Sequence, residues 1–156
     1  MGRVYMEREI GQPENRMKVE EDAADVIAGM KVLVVEDNEL NRDIMQEVLK
    51  ERGLVVTEAA DGQIAVDLFG GSPPGTFDVI LMDMHMPVLD GLEATRQIRA
   101  MERSDAKTIP ILALTANDFE EDIRRTREAG MNDHLTKPFD MEKIFGALAR
   151  YAVHKK

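Results

Sequence analysis

Five positions stand where chemistry would be placed: the adjacent acids Glu36 and Asp37, then Asp83, Thr115 and Lys137. Each follows a predicted strand: the apolar run Met30 to Val35 precedes the acid pair, Phe77 to Met82 precedes Asp83, Ile109 to Leu114 precedes Thr115, and the short segment His134 to Thr136 precedes Lys137. Three carboxylates gathered in one place repel, and a bound cation is one way to keep them ionised. Oxygen donors without Cys or a His cluster suit hard Mg²⁺, which takes a few protein oxygens and keeps waters and a phosphate as its other ligands. In such a setting an aspartate can accept a phosphoryl group as a nucleophile. The metal and a lysine neutralise the moving oxygens, and a threonine hydroxyl can bond the attached group.

The elements that must position these residues alternate regularly. The run Met30 to Val35 is followed by a helical stripe at Leu40, Ile44, Val48 and Leu49 that stops at Gly53. Leu54 to Thr57 then leads into Ile64, Ala65, Leu68 and Phe69, and Phe77 to Met82 leads into a helix over Leu92 to Arg103. Ile109 to Leu114 precedes Phe119, Ile123 and Ala129 with Gly130 as a stop, and His134 to Thr136 precedes Ile144, Phe145 and Leu148. Strands that read as near-continuous apolar runs are covered on both faces, as βα crossovers would provide. The pattern predicts a doubly wound parallel α/β sheet, in which ligands bind beyond the carboxyl ends of the strands. All five chemical positions fall at those ends.

Composition narrows the function further. The chain of 156 residues has no cysteine, which excludes thiolate metal sites, disulfides and Cys nucleophiles. A net charge of -10 without a Lys/Arg cluster opposes a grip on nucleic acid phosphates or anionic lipid. No uncharged apolar run reaches membrane-spanning length and the N-terminal residues do not resemble a secretory signal, so a cytoplasmic protein without membrane insertion is expected. The glycines near the strands, Gly53, Gly62, Gly91 and Gly130, read as turns and caps and form no nucleotide-binding loop. Residues 1–29 read as a linker or tail with a weak helical stripe at Val19, Ala23, Val26 and Ile27, and residues 153–156 as a C-terminal tail.

The segments VLVVEDNELNRDIM, FDVILMDMHMPVLDGLEATRQIR, PILALTAND and DHLTKPF resemble, in this order, the motifs of a response-regulator receiver domain over about residues 30–152. The wording around them is similar to receivers of hybrid sensor histidine kinases. The resemblance implies a flavodoxin-like (βα)5 fold with strand order 2-1-3-4-5. It makes Asp83 the phosphoacceptor, with Mg²⁺ held by Asp37, by Asp83, by the His85 backbone carbonyl and by Glu36 through water. Lys137 would pair with the phosphoryl group, Thr115 would move toward it, and Pro138 would follow a cis peptide that aims the lysine. The implied partners are a histidine kinase or histidine phosphotransfer protein and a downstream protein, with the chain a monomer or weak homodimer.

Two departures from the common pattern involve three positions. His134 stands where many receivers carry the aromatic residue that follows the threonine, which would couple the switch to protonation. His85 and Asn117, each two residues beyond a site residue, occupy positions that in the family influence water access to the acyl phosphate. Asp61, Asp90, Asp118 and Asp133 read as turn residues and helix N-caps, Met82, Met84 and Met86 as packing, His154 as a terminal residue, and GGSPPGT as a loop without a site. Two other functions compete with the switch. An aspartyl-phosphate hydrolase would need an acid two residues after its nucleophile, where His85 stands, and a receiver-like binding module would need no phosphorylation.

Overall fold

The computed structural model of the chain describes residues 26–116, 120–137 and 140–155. Expectations concerning residues 1–25, Asn117, Asp118, Phe119, Pro138 and the side chain of His154 lie outside the described residues. The strands are β1 (Lys31–Val35), β2 (Val55–Ala59), β3 (Val79–Asp83), β4 (Ile111–Thr115) and β5 (Asp133–Thr136). They alternate with α1 (Glu39–Glu51), α2 (Gly62–Gly70), α3 (Gly91–Arg99), α4 (Glu120–Ala129) and α5 (Met141–Lys155). All strand pairings are parallel and the order is β2-β1-β3-β4-β5, the expected doubly wound sheet.

Alternation along the strands divides the core between two faces. Val32, Val34, Val79, Leu81, Leu112 and Leu114 pack with Met45 and Leu49 of α1 and Ile144 and Leu148 of α5. Leu33, Val35, Ile80, Met82 and Ile111 pack on the other face with Phe69 of α2 and Ile98 of α3. Strands β3 and β4 are apolar up to their last residues, Asp83 and Thr115, because both of these faces are covered. Met84 and Met86 are buried in the second layer, which accounts for the methionines around β3.

The helices begin and end where local hydrogen bonding dictates. Asn38, Asp61 and Asp90 are N-caps, their side chains accepting from the N–H groups of Asn41, Ile64 and Glu93. Gly53 and Gly130 take positive φ (87° and 112°) just past α1 and α4, a conformation that spares glycine the Cβ clash. Three boundaries differ from expectation. Ile27, placed before the domain by the sequence pattern, is fully buried, and Gly29 N–H bonds to the Gly53 carbonyl, so the fold takes in the turn before β1. Helix α3 stops at Arg99 rather than Arg103, because Arg103 turns to pair with Asp105 and to stack on the Phe69 ring. Helix α5 runs on to Lys155, past Ala152. Asp133 is the first residue of β5 and pairs with Arg150 instead of capping a helix. Among the described residues no helix is long and apolar enough to cross a membrane.

Candidate functional site

At the end of β1, Glu36 continues the buried run, only 1% exposed, with its N–H bonded to the Ala59 carbonyl of β2. The chain then turns into α1 under bonds of its own making. Asn38 donates its N–H to Glu36 Oε2 at 3.1 Å while its side chain caps the helix. Asp37, between them, is exposed.

Asp83 ends the fully buried strand β3 and is itself 3% exposed. Its Oδ1 accepts from the His85 N–H at 3.3 Å, and the His85 side chain is exposed beside it. The loop from Met84 to Asp90 folds back tightly. Leu89 N–H bonds to the Pro87 carbonyl across Val88, whose φ is 70°, a three-residue turn with a positive central φ that strains a β-branched residue. Helix α3 starts so close to β3 that a Cβ at Gly91 would lie 2.1 Å from the Asp83 carbonyl oxygen, and one at Gly62 would lie 2.2 Å from the Leu89 carbonyl oxygen. Both glycines are therefore packing requirements of the site, beyond the turn and cap roles read from sequence.

Lys137 follows β5, its N–H bonded to the Thr115 carbonyl. Its Nζ stands between two acids, 3.3 Å from Glu36 Oε1 and 3.4 Å from Asp83 Oδ1. Thr115 ends β4 buried at 4% exposure. His134 lies half-buried on β5 opposite Ala113 of β4.

Glu36, Asp37 and Asp83 each offer a carboxylate oxygen, and these oxygens lie within 4.8 Å of one another. Burial pushes the Glu36 carboxyl above its ordinary range, opposed by the Asn38 N–H and reinforced by the charge of Asp83. Burial likewise pushes Asp83 up, with Lys137 opposing. One ammonium does not offset the cluster, and Glu36 Oε1, although near Nζ, is a buried oxygen without a formed hydrogen bond among the described residues. An all-oxygen donor set with surplus negative charge fits a small hard dication such as Mg²⁺.

The structure thus brings Glu36, Asp37, Asp83 and Lys137 together, with Thr115 at the end of the adjoining strand and the backbone of His85 against Asp83. Sequence reasoning missed Asn38 as a partner of Glu36, Arg42, whose Nη1 donates to the Glu36 carbonyl at 2.8 Å, and the strained Val88. A short polar residue before a helix signals a cap, but neither a contact to a main-chain carbonyl nor a positive φ at valine leaves a mark in sequence. A separate cavity of about 500 Å³, lined by Phe77, Asp105, Ile109, Pro110, Asn132 and Tyr151, opens near the N-terminal ends of β3, β4 and β5, away from the carboxylates.

Comparison with known proteins places this geometry in company. The family model described as response regulator receiver domain matches residues 32–149. The chain is 38% identical over 151 residues to probable histidine kinase 2 of Oryza sativa subsp. indica, covering 90% of this chain and 14% of that protein. It is 40% identical over 117 residues to hybrid signal transduction histidine kinase I of Dictyostelium discoideum, covering 74% of this chain and 7% of that one. The chain therefore spans only a small part of these relatives. Among solved structures, the receiver domain of sensor histidine kinase PA1611 from Pseudomonas aeruginosa PAO1 is 42% identical, with a TM-score of 0.72 over 81% of this chain and 99% of that one. That crystal structure has a magnesium ion coordinated in its active site cleft. The receiver domain of Ssk1 from Saccharomyces cerevisiae, solved with the histidine phosphotransfer protein Ypd1, is 29% identical with a TM-score of 0.73, covering 82% of this chain and 92% of that one.

Proposed function

Because the chain belongs to the response regulator receiver domain family of two-component signalling, we propose that it is a phosphorylation-controlled switch whose acceptor is Asp83. The observation that carries this is Lys137 Nζ standing between buried Glu36 and Asp83, a fixed cation beside a carboxylate at the rim of the sheet. An Asp83 oxygen attacks the phosphorus of a phosphohistidine on a partner protein; the P–O bond forms as the P–N bond breaks, and the imidazole leaves. Lys137 holds the charge of the transferred group beside Asp83, and the Thr115 hydroxyl bonds one of its oxygens. Asp37, Asp83 and the His85 carbonyl would hold Mg²⁺ directly and Glu36 through water, and the ion would neutralise the clustered carboxylates and the phosphoryl oxygens.

The donor is a histidine kinase or histidine phosphotransfer protein, as in the yeast complex. Beside the site, α1 exposes Leu40 (67%) and Ile44 (48%) at i, i+4 spacing, and the β3–α3 loop exposes Val88 (79%), an apolar rim suited to a helical donor. The phosphoryl group bonds Thr115 and Lys137 better in one arrangement of β4, β5 and their helices than in another, so labelling shifts that equilibrium and a downstream protein reads the result. The chain works in the cytoplasm as an acceptor rather than a turnover enzyme, because the second position after Asp83 holds an exposed histidine and no acid.

Incubation with a small-molecule acyl phosphate tests this by intact mass. The native chain gains one phosphoryl group only with Mg²⁺, and Asp83→Asn gains none. Equal labelling of that variant would overturn the assignment.

A further inference from the structure

Asp37 is exposed, so packing does not hold it, and the turn that carries it is fixed by hydrogen bonds. Asn38 N–H bonds to Glu36 Oε2, Asn41 N–H to Asn38 Oδ1, and Arg42 N–H to the Asn38 carbonyl at 2.9 Å. The remaining tie comes from a side chain. Arg42, half-buried one turn into α1, reaches back and donates from Nη1 to the Glu36 carbonyl at 2.8 Å. In a chain with 30 acids against 20 basic residues, this guanidinium is spent on a main-chain oxygen.

The choice of oxygen matters. The Glu36 carbonyl and the Asp37 N–H belong to one rigid peptide plane, so anchoring the carbonyl fixes the direction in which the chain enters Asp37. That plane joins two of the three clustered acids. A guanidinium also holds a carbonyl more firmly than a neutral donor would.

We infer that Arg42 is a positioning residue for the cation site: through the Glu36 carbonyl it sets the backbone from which Asp37 reaches the metal. The inference rests on the Mg²⁺ assignment proposed above. Removing the hydrogen-bond partners that orient metal ligands costs about 10–100-fold in affinity, so the effect is measurable without any phosphoryl transfer.

The test is calorimetric Mg²⁺ titration of the full chain, native, Arg42→Met and Arg42→Lys, together with urea unfolding of each without metal. Arg42→Met keeps the aliphatic stem and is expected to bind Mg²⁺ about tenfold more weakly, with a metal-free urea midpoint close to the native one. Arg42→Lys, which restores a charged donor, recovers part of the affinity. Native affinity in Arg42→Met overturns the inference, as does a Lys variant no better than Met, or a loss of affinity matched by a large fall in the metal-free midpoint. Absence of Mg²⁺ binding by the native chain overturns the metal assignment itself, a distinct result.

Discussion

Two pairs of charges show how position decides what a carboxylate is for. Glu36 and Asp83 share one lysine, and burial dominates, leaving both held above the ordinary carboxylate range and in want of a further cation. Asp105 is also pushed up by burial, but hydrogen bonds from Arg103 and from the Gly75 N–H outweigh it and hold the carboxyl below that range. The first pair suits ligand binding and the second holds the fold together. A carboxyl whose pKa is depressed by folding adds stability above its unfolded pKa and loses it as pH falls through the folded value. Asp105→Asn is therefore expected to cost about 1–2 kcal/mol at neutral pH, with the gap to the native chain closing on acidification. Urea unfolding over a pH series measures both, and a gap that did not change with pH would contradict a depressed Asp105 pKa. The acids of the site were legible in sequence because they end apolar runs. Arg42 was not, because its partner is a carbonyl that carries no residue identity.

At the scale of elements, the sheet was legible because its central strands are buried on both faces and so lack polar interruptions. Helix ends were legible where a cap or a glycine marks them, as at Asn38 and Gly53, and misread where a tertiary contact decides, as at Arg103. The glycines make the same point with a measurable consequence. Gly91→Ala would place a methyl group 2.1 Å from the Asp83 carbonyl oxygen, and such backbone overlap forces shifts expected to cost about 3 kcal/mol or more. Gly146, exposed within α5, has open space around its missing Cβ, and Gly146→Ala is expected to gain about 0.5–1 kcal/mol from helix propensity. Denaturant unfolding of the two variants should move in opposite directions. If both were neutral, the close approach of α3 to β3 would be wrong.

For the molecule as a whole, the clustered carboxylates lie at the carboxyl edge of the sheet, and in the function proposed above it is other proteins that read them. In the proposed switch, small-molecule and protein donors would use the same Asp83 but different surroundings. Leu40→Asp puts a charge into the exposed rim of α1 without touching the carboxylates. It is expected to slow transfer from a phosphohistidine protein about tenfold, the size of one interface anchor, while labelling by acetyl phosphate continues at the native rate. Parallel time courses with the two donors measure this, and equal slowing of both would remove α1 from the docking surface. The overall negative charge, -10, is of the same sign as the site, so both oppose anionic ligands that no cation accompanies.

The central claim is that one particular carboxylate becomes an acyl phosphate. Borohydride reduces an aspartyl phosphate to homoserine, so phosphorylated chain, reduced and digested, carries a permanent mark of the acceptor that peptide mass spectrometry reads. The account predicts homoserine at position 83 and at no other acid, dependent on Mg²⁺ during labelling. Homoserine at Asp37 or Glu36, or phosphate recovered on His85 with Asp83 unreduced, would contradict it.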